Sequence, residues 1–204
     1  MQRNSTRFAL AILVFLLLVA GMAGSVEAKK LPIRFIFEIS RLDLPKNAPP
    51  ALEERIRQQI ADVISNDKRL LGEIPKDAPS YDPKAKGRYG NKAFHTFMKK
   101  KRLRAFKVIV QVTRYAPTLV PNAKGSGHML GSAIVIRMFG ETIPDRVMAF
   151  TGDGSATVQI EIGKKVRARD QTYANQEAAK LAIAKAMAMS LTKLEAKPAK
   201  GKKK

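Results

Sequence analysis

The chain of 204 residues has no cysteine, so no disulfide can form and packing alone must hold it together. Histidine is almost as scarce. With only His95 and His128, a metal site would rest on carboxylates and these two imidazoles, and neither stands at a ligand spacing. Acidic residues are few as well, 17 against 38 lysines and arginines. No nucleophile-elbow motif occurs, and no set of base and acid partners surrounds a serine. These shortages argue against zinc, disulfide-scaffold and serine-hydrolase chemistry, leave no catalytic residue to name, and call for no cofactor.

Long apolar runs are also lacking, with one exception. Phe8 to Ala20 is uninterrupted, follows Arg3 and Arg7, and leads to the small-residue stretch ending Val26-Glu27-Ala28. That order is a secretory signal peptide over residues 1–28. The run is shorter than the roughly 20 residues of a spanning helix, so cleavage before Lys29 is expected; retention as an anchor would also leave the domain outside the cytoplasmic membrane. Lipidation would need a cysteine at the cleavage site. The expected location is therefore periplasmic or secreted.

The mature chain is strongly basic. Without two arginines and one glutamate of the signal, a chain of net charge +21 keeps about +20. Such a charge attracts polyanions at long range. Beyond the membrane, anionic lipid headgroups and acidic polymers are nearer partners than nucleic acid, and an envelope protein is a further candidate. No small-molecule substrate is indicated.

Periodicity gives the fold class. Ile33, Phe35, Phe37 and Ile39 alternate with Arg34, Ile36, Glu38 and Ser40, which predicts a first strand. Pro49-Pro50 opens a helix carrying Leu52, Ile56, Ile60, Val63 and Ile64 on one stripe. Residues 75–91 read as a long exposed loop. Phe106 to Val112 predicts a second strand, Tyr115 to Gly131 a loop punctuated by Pro117 and Pro121, and Ile134 to Met138 a third strand. Val147–Thr151 and Ala156–Ile162 read as a hairpin about Gly152-Asp153-Gly154, with a single strand bent by a glycine bulge as the alternative. A final helix, capped by Asp170 or Thr172, runs to about Lys193, and its seven alanines between Tyr173 and Leu194 allow close approach to a sheet. The sum is an α+β domain over 29–195: an antiparallel or mixed sheet of four to five strands with two helices on one face, in the order β-α-β-β-β-α. Residues 196–204, with five lysines, form a tail that can bury nothing.

A basic exposed loop is expected near residues 75–105, and the densest charge lies between Lys84 and Lys107. Lys84, Lys86, Arg88, Lys92, Lys99, Lys100, Lys101, Arg102 and Arg104 are interleaved with Tyr89, Phe94 and Phe97. Cations among rings suit an anionic membrane surface or polymer, as they suit single-stranded nucleic acid; the plain alternative is a solvated loop whose phenylalanines dock on the core. A second constellation, Asp145 with Glu161 and Lys164, resembles the Asp, Glu, Lys set of metal-dependent nucleases. Two residues separate Glu161 from Lys164, however, which turns the lysine to the other side of a strand. Asp153 and Asp170 invite a calcium reading that turn chemistry answers, and Gly125 to Gly131 leads into a strand rather than the helix that a phosphate loop requires.

Gly131 to Ile136, Phe150 to Ala156 and the Ala-rich helix with Glu177-Ala178 and Ala182-Ile183-Ala184 resemble small bacterial envelope domains, such as the amino-terminal domain of the Tol-system translocation protein and the curli-assembly lipoprotein. The resemblance spans roughly Leu103 to Leu194 and is one of element order and small-residue placement. It implies a non-enzymatic binding or assembly module at the envelope, without the lipid anchor of the lipoprotein members.

Overall fold

A computed structural model describes residues 32–85, 90–123, 125 and 127–196. The segment expected as a signal peptide and the lysines expected as a tail lie outside them. The elements are β1 (Arg34–Asp43), α1 (Pro50–Asn66), β2 (Leu70–Leu71), α2 (Lys92–Lys101), β3 (Leu103–Pro121), β4 (His128–Thr142), β5 (Met148–Ile162) and α3 (Ala168–Glu195). The five strands form one mixed sheet in the order β2-β1-β3-β4-β5. β1 runs parallel to β2 and β3, whereas β3, β4 and β5 form an antiparallel meander. The fold is thus α+β, as expected, but with three helices and a two-residue strand that the periodicity did not predict.

The main core lies between one face of the sheet and the helices α1 and α3. Phe37 stacks on Phe150 at 5.2 Å, and Phe106 meets both rings edge-on at 6.0 and 5.5 Å. Leu52, Ile56, Ile60 and Ile64 of α1 are buried against this centre. The stripe predicted by the helical spacing is therefore the one that packs. On the opposite face a smaller cluster joins Ile36, Leu103 and Ala105 to Phe94 and Met98 of α2. β1 supplies both sides, since successive side chains alternate across the sheet.

Three expectations are corrected. The segment expected as a hairpin about Gly152-Asp153-Gly154 is a single strand, paired without interruption from Phe150 to Ile162. Gly152 and Gly154 are there for another reason: a Cβ at Gly152 would collide with the Ala186 carbonyl and Ser190 Oγ, and one at Gly154 with the Ala182 carbonyl and Ala186 nitrogen. The two glycines and the buried Ala182, Ala186 and Ser190 let α3 lie against the strand, which is the close approach its alanines foreshadowed. Next, most of the loop expected over Tyr115 to Gly131 is strand, with β3 and β4 paired as far as Pro121 and His128. β1 pairs β3 only up to Gln111, so Pro117 and Pro121 sit where β3 has lost that neighbour and a missing N–H breaks no ladder on that side. Last, part of the basic segment expected as loop is the helix α2.

The sheet has two edges. One is stepped, formed in turn by the short β2, by β1 beyond Ile36 and by β3 beyond Gln111. The other is β5 alone, 15 residues long.

Candidate basic surface

The helix α2 arises from a few local features. Asn91 is buried and ties the preceding loop to it: its side-chain oxygen accepts from the Asp82 N–H at 2.9 Å, and its side-chain nitrogen donates to the Asp82 carbonyl at 3.1 Å. Phe94 and Met98, four residues apart, form the buried stripe, and the Tyr81 ring lies 5.0 Å from that of Phe94. At the carboxyl end Arg102 adopts the left-handed conformation, with φ 54° and ψ 43°, and its N–H returns to the Lys99 carbonyl. That geometry ends a helix. Lys99, Lys100 and Lys101 in the last turn face the negative end of the helix dipole.

The nine basic residues from Lys84 to Arg104 that the sequence marks as candidates are distributed unevenly. Lys92, Lys99 and Lys100 are exposed, form no ion pair among the described residues, and with Thr96 fall within an arc of about 100° on α2, opposite Phe94 and Met98. Lys84 is exposed in the preceding loop, while Lys86 and Arg88 lie outside the described residues. Lys101 turns sideways to Asp77, 3.4 Å away, and stands 5.6 Å from the centre of the Phe97 ring. Arg102 is half-buried. Arg104 serves a different part of the fold: its guanidinium lies over Phe106 and Phe35, at 5.4 and 5.9 Å, and donates to the Leu194 carbonyl at the end of α3. Burial against these groups lowers its pKa from the usual arginine value.

The nuclease set does not assemble. Asp145 lies in the β4–β5 turn, 3.4 Å from His95 Nε2, and Glu161 is near the far end of β5, where Asn122 Nδ2 donates to it at 2.6 Å. Nearly the whole strand separates the two carboxylates, roughly 40 Å at about 3.3 Å per residue. His128 begins β4 and His95 packs near its end, so the imidazoles are also apart. Among the described residues no group of three or more His, Asp or Glu could hold a metal ion, and no helix is long and apolar enough to cross a membrane.

The tertiary structure gathers a further basic cluster that the sequence did not single out. Lys164, Lys165, Arg167 and Arg169, with Glu161 and Asp170, line a cavity of about 650 Å³ where β5 turns into α3. Its signal is four cations within six residues. The Asp170 carboxylate accepts from the Arg167 backbone N–H and lies 3.5 Å from Arg169 Nε, while Lys164 and Lys165 have no ion pair among the described residues. A larger hollow, of about 810 Å³, opens between α1 and β1 over Phe37, Ile60, Ile64 and Leu70. Arg34, Arg57, Asp67, Lys68 and Glu73 stand around it.

No family model matches the sequence, and no curated protein matches it. Among solved structures the chain is similar to a minor lipoprotein from Acinetobacter baumannii, at 12% identity and a TM-score of 0.38, over 82% of this chain and 99% of that one. A chain from Caulobacter crescentus, crystallised as a candidate lipoprotein, gives 13% identity and a TM-score of 0.42 over 80% and 93%. One from Xanthomonas campestris gives 9% and 0.38 over 78% and 83%. Two of these neighbours are described as lipoproteins, and none is of the Tol or curli type that the sequence was expected to resemble. Likeness at this level assigns neither a family nor an activity.

Proposed function

We propose that this is an exported, non-catalytic protein of the bacterial envelope that contacts an anionic surface through the outer side of α2. Lys92, Lys99 and Lys100 form the centre of that contact, with Lys84 in the loop before it; Lys86, Arg88 and the lysines at the end of the chain add to the positive charge of the protein. Lys101, Arg102 and Arg104 contribute to the field more than to the contact. One observation carries the reading: three lysines with no ion pair among the described residues share one side of a helix whose other side is fixed to the sheet by Phe94 and Met98. An amphipathic helix of this kind presents cations without having to fold on contact.

The expected ligand is an anionic lipid headgroup or an acidic polysaccharide, since each Lys near such a surface contributes about 1 kcal/mol, screened over a Debye length. Co-sedimentation with phosphatidylglycerol vesicles, and separately with heparin, distinguishes the two. Binding at 20 mM salt should fall steeply by 300 mM, and the double variant Lys99→Glu with Lys100→Glu should weaken it at least tenfold. Absence of binding at low salt to both probes, or salt-insensitive binding, would remove the reading.

A further inference from the structure

The long edge of the sheet is guarded along only part of its length. On β5 the backbone groups of Thr151, Asp153 and Ser155 point away from β4, and α3 reaches over to meet them. Lys193 Nζ donates to the Thr151 carbonyl at 2.6 Å, the Asp153 N–H donates to Met189 Sδ at 3.3 Å, and Lys185 Nζ donates to the Ser155 carbonyl at 2.9 Å. Residues 185, 189 and 193 form one row of the helix at four-residue spacing. The next position in that row is Leu181, which has no polar side-chain atom and is 45% exposed.

Beyond Ser155 the guard therefore stops while the strand continues. The pairing of β4 with β5 is regular from Phe150 to Ile162, so the alternation places the N–H and C=O of Thr157, Gln159 and Glu161 on the outer edge as well. All three residues are exposed. Unpaired backbone groups in a row form a template for another strand. On the helix side this stretch carries the half-buried Val158 and Ile160, and Leu181 stands next in line. At its end lies the cavity of Lys164, Lys165, Arg167 and Arg169.

We infer that the open half of β5, Thr157 to Glu161, receives an extended segment of a partner protein in which apolar residues alternate with acidic ones, added as a sixth strand. The ladder supplies affinity, the apolar side chains continue the surface of Val158, Ile160 and Leu181, and the acidic ones meet the cations at the end of the strand. A second copy of this chain is a poorer occupant. Antiparallel pairing of two β5 strands about Gln159 would bring Lys164 and Lys165 of each towards Lys185 of the other, and like charges across a sheet destabilise it.

The test uses a fluorescein-labelled eight-residue peptide alternating Val and Glu, the same peptide with alternate backbone amides methylated, and one alternating Val and Lys. The first peptide should bind, with the methylated and lysine forms at least tenfold weaker. Lys164→Glu with Lys165→Glu should cost at least tenfold, whereas Lys99→Glu with Lys100→Glu should leave binding unchanged. Hydrogen exchange should show the amides of Thr157, Gln159 and Glu161 unprotected in the free protein and slowed by the peptide. Equal binding of the methylated peptide would overturn the inference, as would indifference to the Lys164 and Lys165 reversals or loss on the α2 reversals. A dimer in sedimentation equilibrium with those amides already protected would assign the edge to a second copy instead.

Discussion

Gly154 shows how one absent methyl group sets the distance between a helix and a sheet. Because its hypothetical Cβ overlaps the Ala182 carbonyl, Gly154→Ala has to push α3 outward or bend the strand, and overpacking of this kind costs about 1–3 kcal/mol. A calorimetric melting temperature several degrees below that of the parent is the expected result, and an unchanged one would mean that the contact yields freely. Asp67 gives a second test at this scale. Its carboxylate accepts from Arg69 at 2.6 Å, and that hydrogen bond holds its pKa below the usual aspartate value. A depressed folded-state pKa stabilises above the unfolded value and is lost as pH falls through the folded one. Asp67→Asn should therefore destabilise by about 0.5–1 kcal/mol at pH 7, and urea titrations should show the gap from the parent closing at and below about pH 4.

The helix α2 was the element least legible in the sequence. Its only apolar anchors are Phe94, Met98 and the half-buried Phe97, three positions among cations, and a loop rich in Pro and Gly precedes it. That pattern is too short for periodicity to separate a docked helix from a solvated loop. By contrast α1 carries four buried residues on one stripe and β1 sets Phe35 and Phe37 together on one face of the sheet, so both could be read directly. Pro117 and Gly152 misled for a common reason: each marks a turn by local chemistry, and each is retained inside a strand by a neighbour that only the tertiary structure reveals, the end of β1 pairing in one case and α3 in the other. Because α2 is held by its own small cluster, Phe94→Ala should act locally. The expected cost is about 3–5 kcal/mol of docking energy, seen in hydrogen exchange as loss of protection in α2 while β3, β4 and β5 keep theirs. Uniform loss of protection would show that the second cluster is inseparable from the main core.

At the scale of the whole molecule, charge dominates. The described ion pairs are mostly exposed and each contributes little, whereas a net charge of +21 repels itself in any compact state. Raising the salt from 10 to 200 mM should therefore raise the melting temperature; a fall would mean that attraction within pairs outweighs repulsion among the rest. The charge total was legible from composition alone. Its arrangement was not, since one basic helix and one basic cavity arise from segments more than sixty residues apart.

The mixed pairing of the sheet also divides its contacts into local and distant ones. β3, β4 and β5 are joined by short connections and can find one another through local encounters, whereas Phe37 reaches Phe106 only after the chain has closed a loop holding α1, β2 and α2. Loop-closure entropy thus predicts that β1, though earliest in the sheet's sequence, is among the last strands to be seated. Until the meander exists, the apolar side chains of β1, Phe35 and Phe37 among them, remain without a place, and any chaperone that accompanies this chain has them to shield.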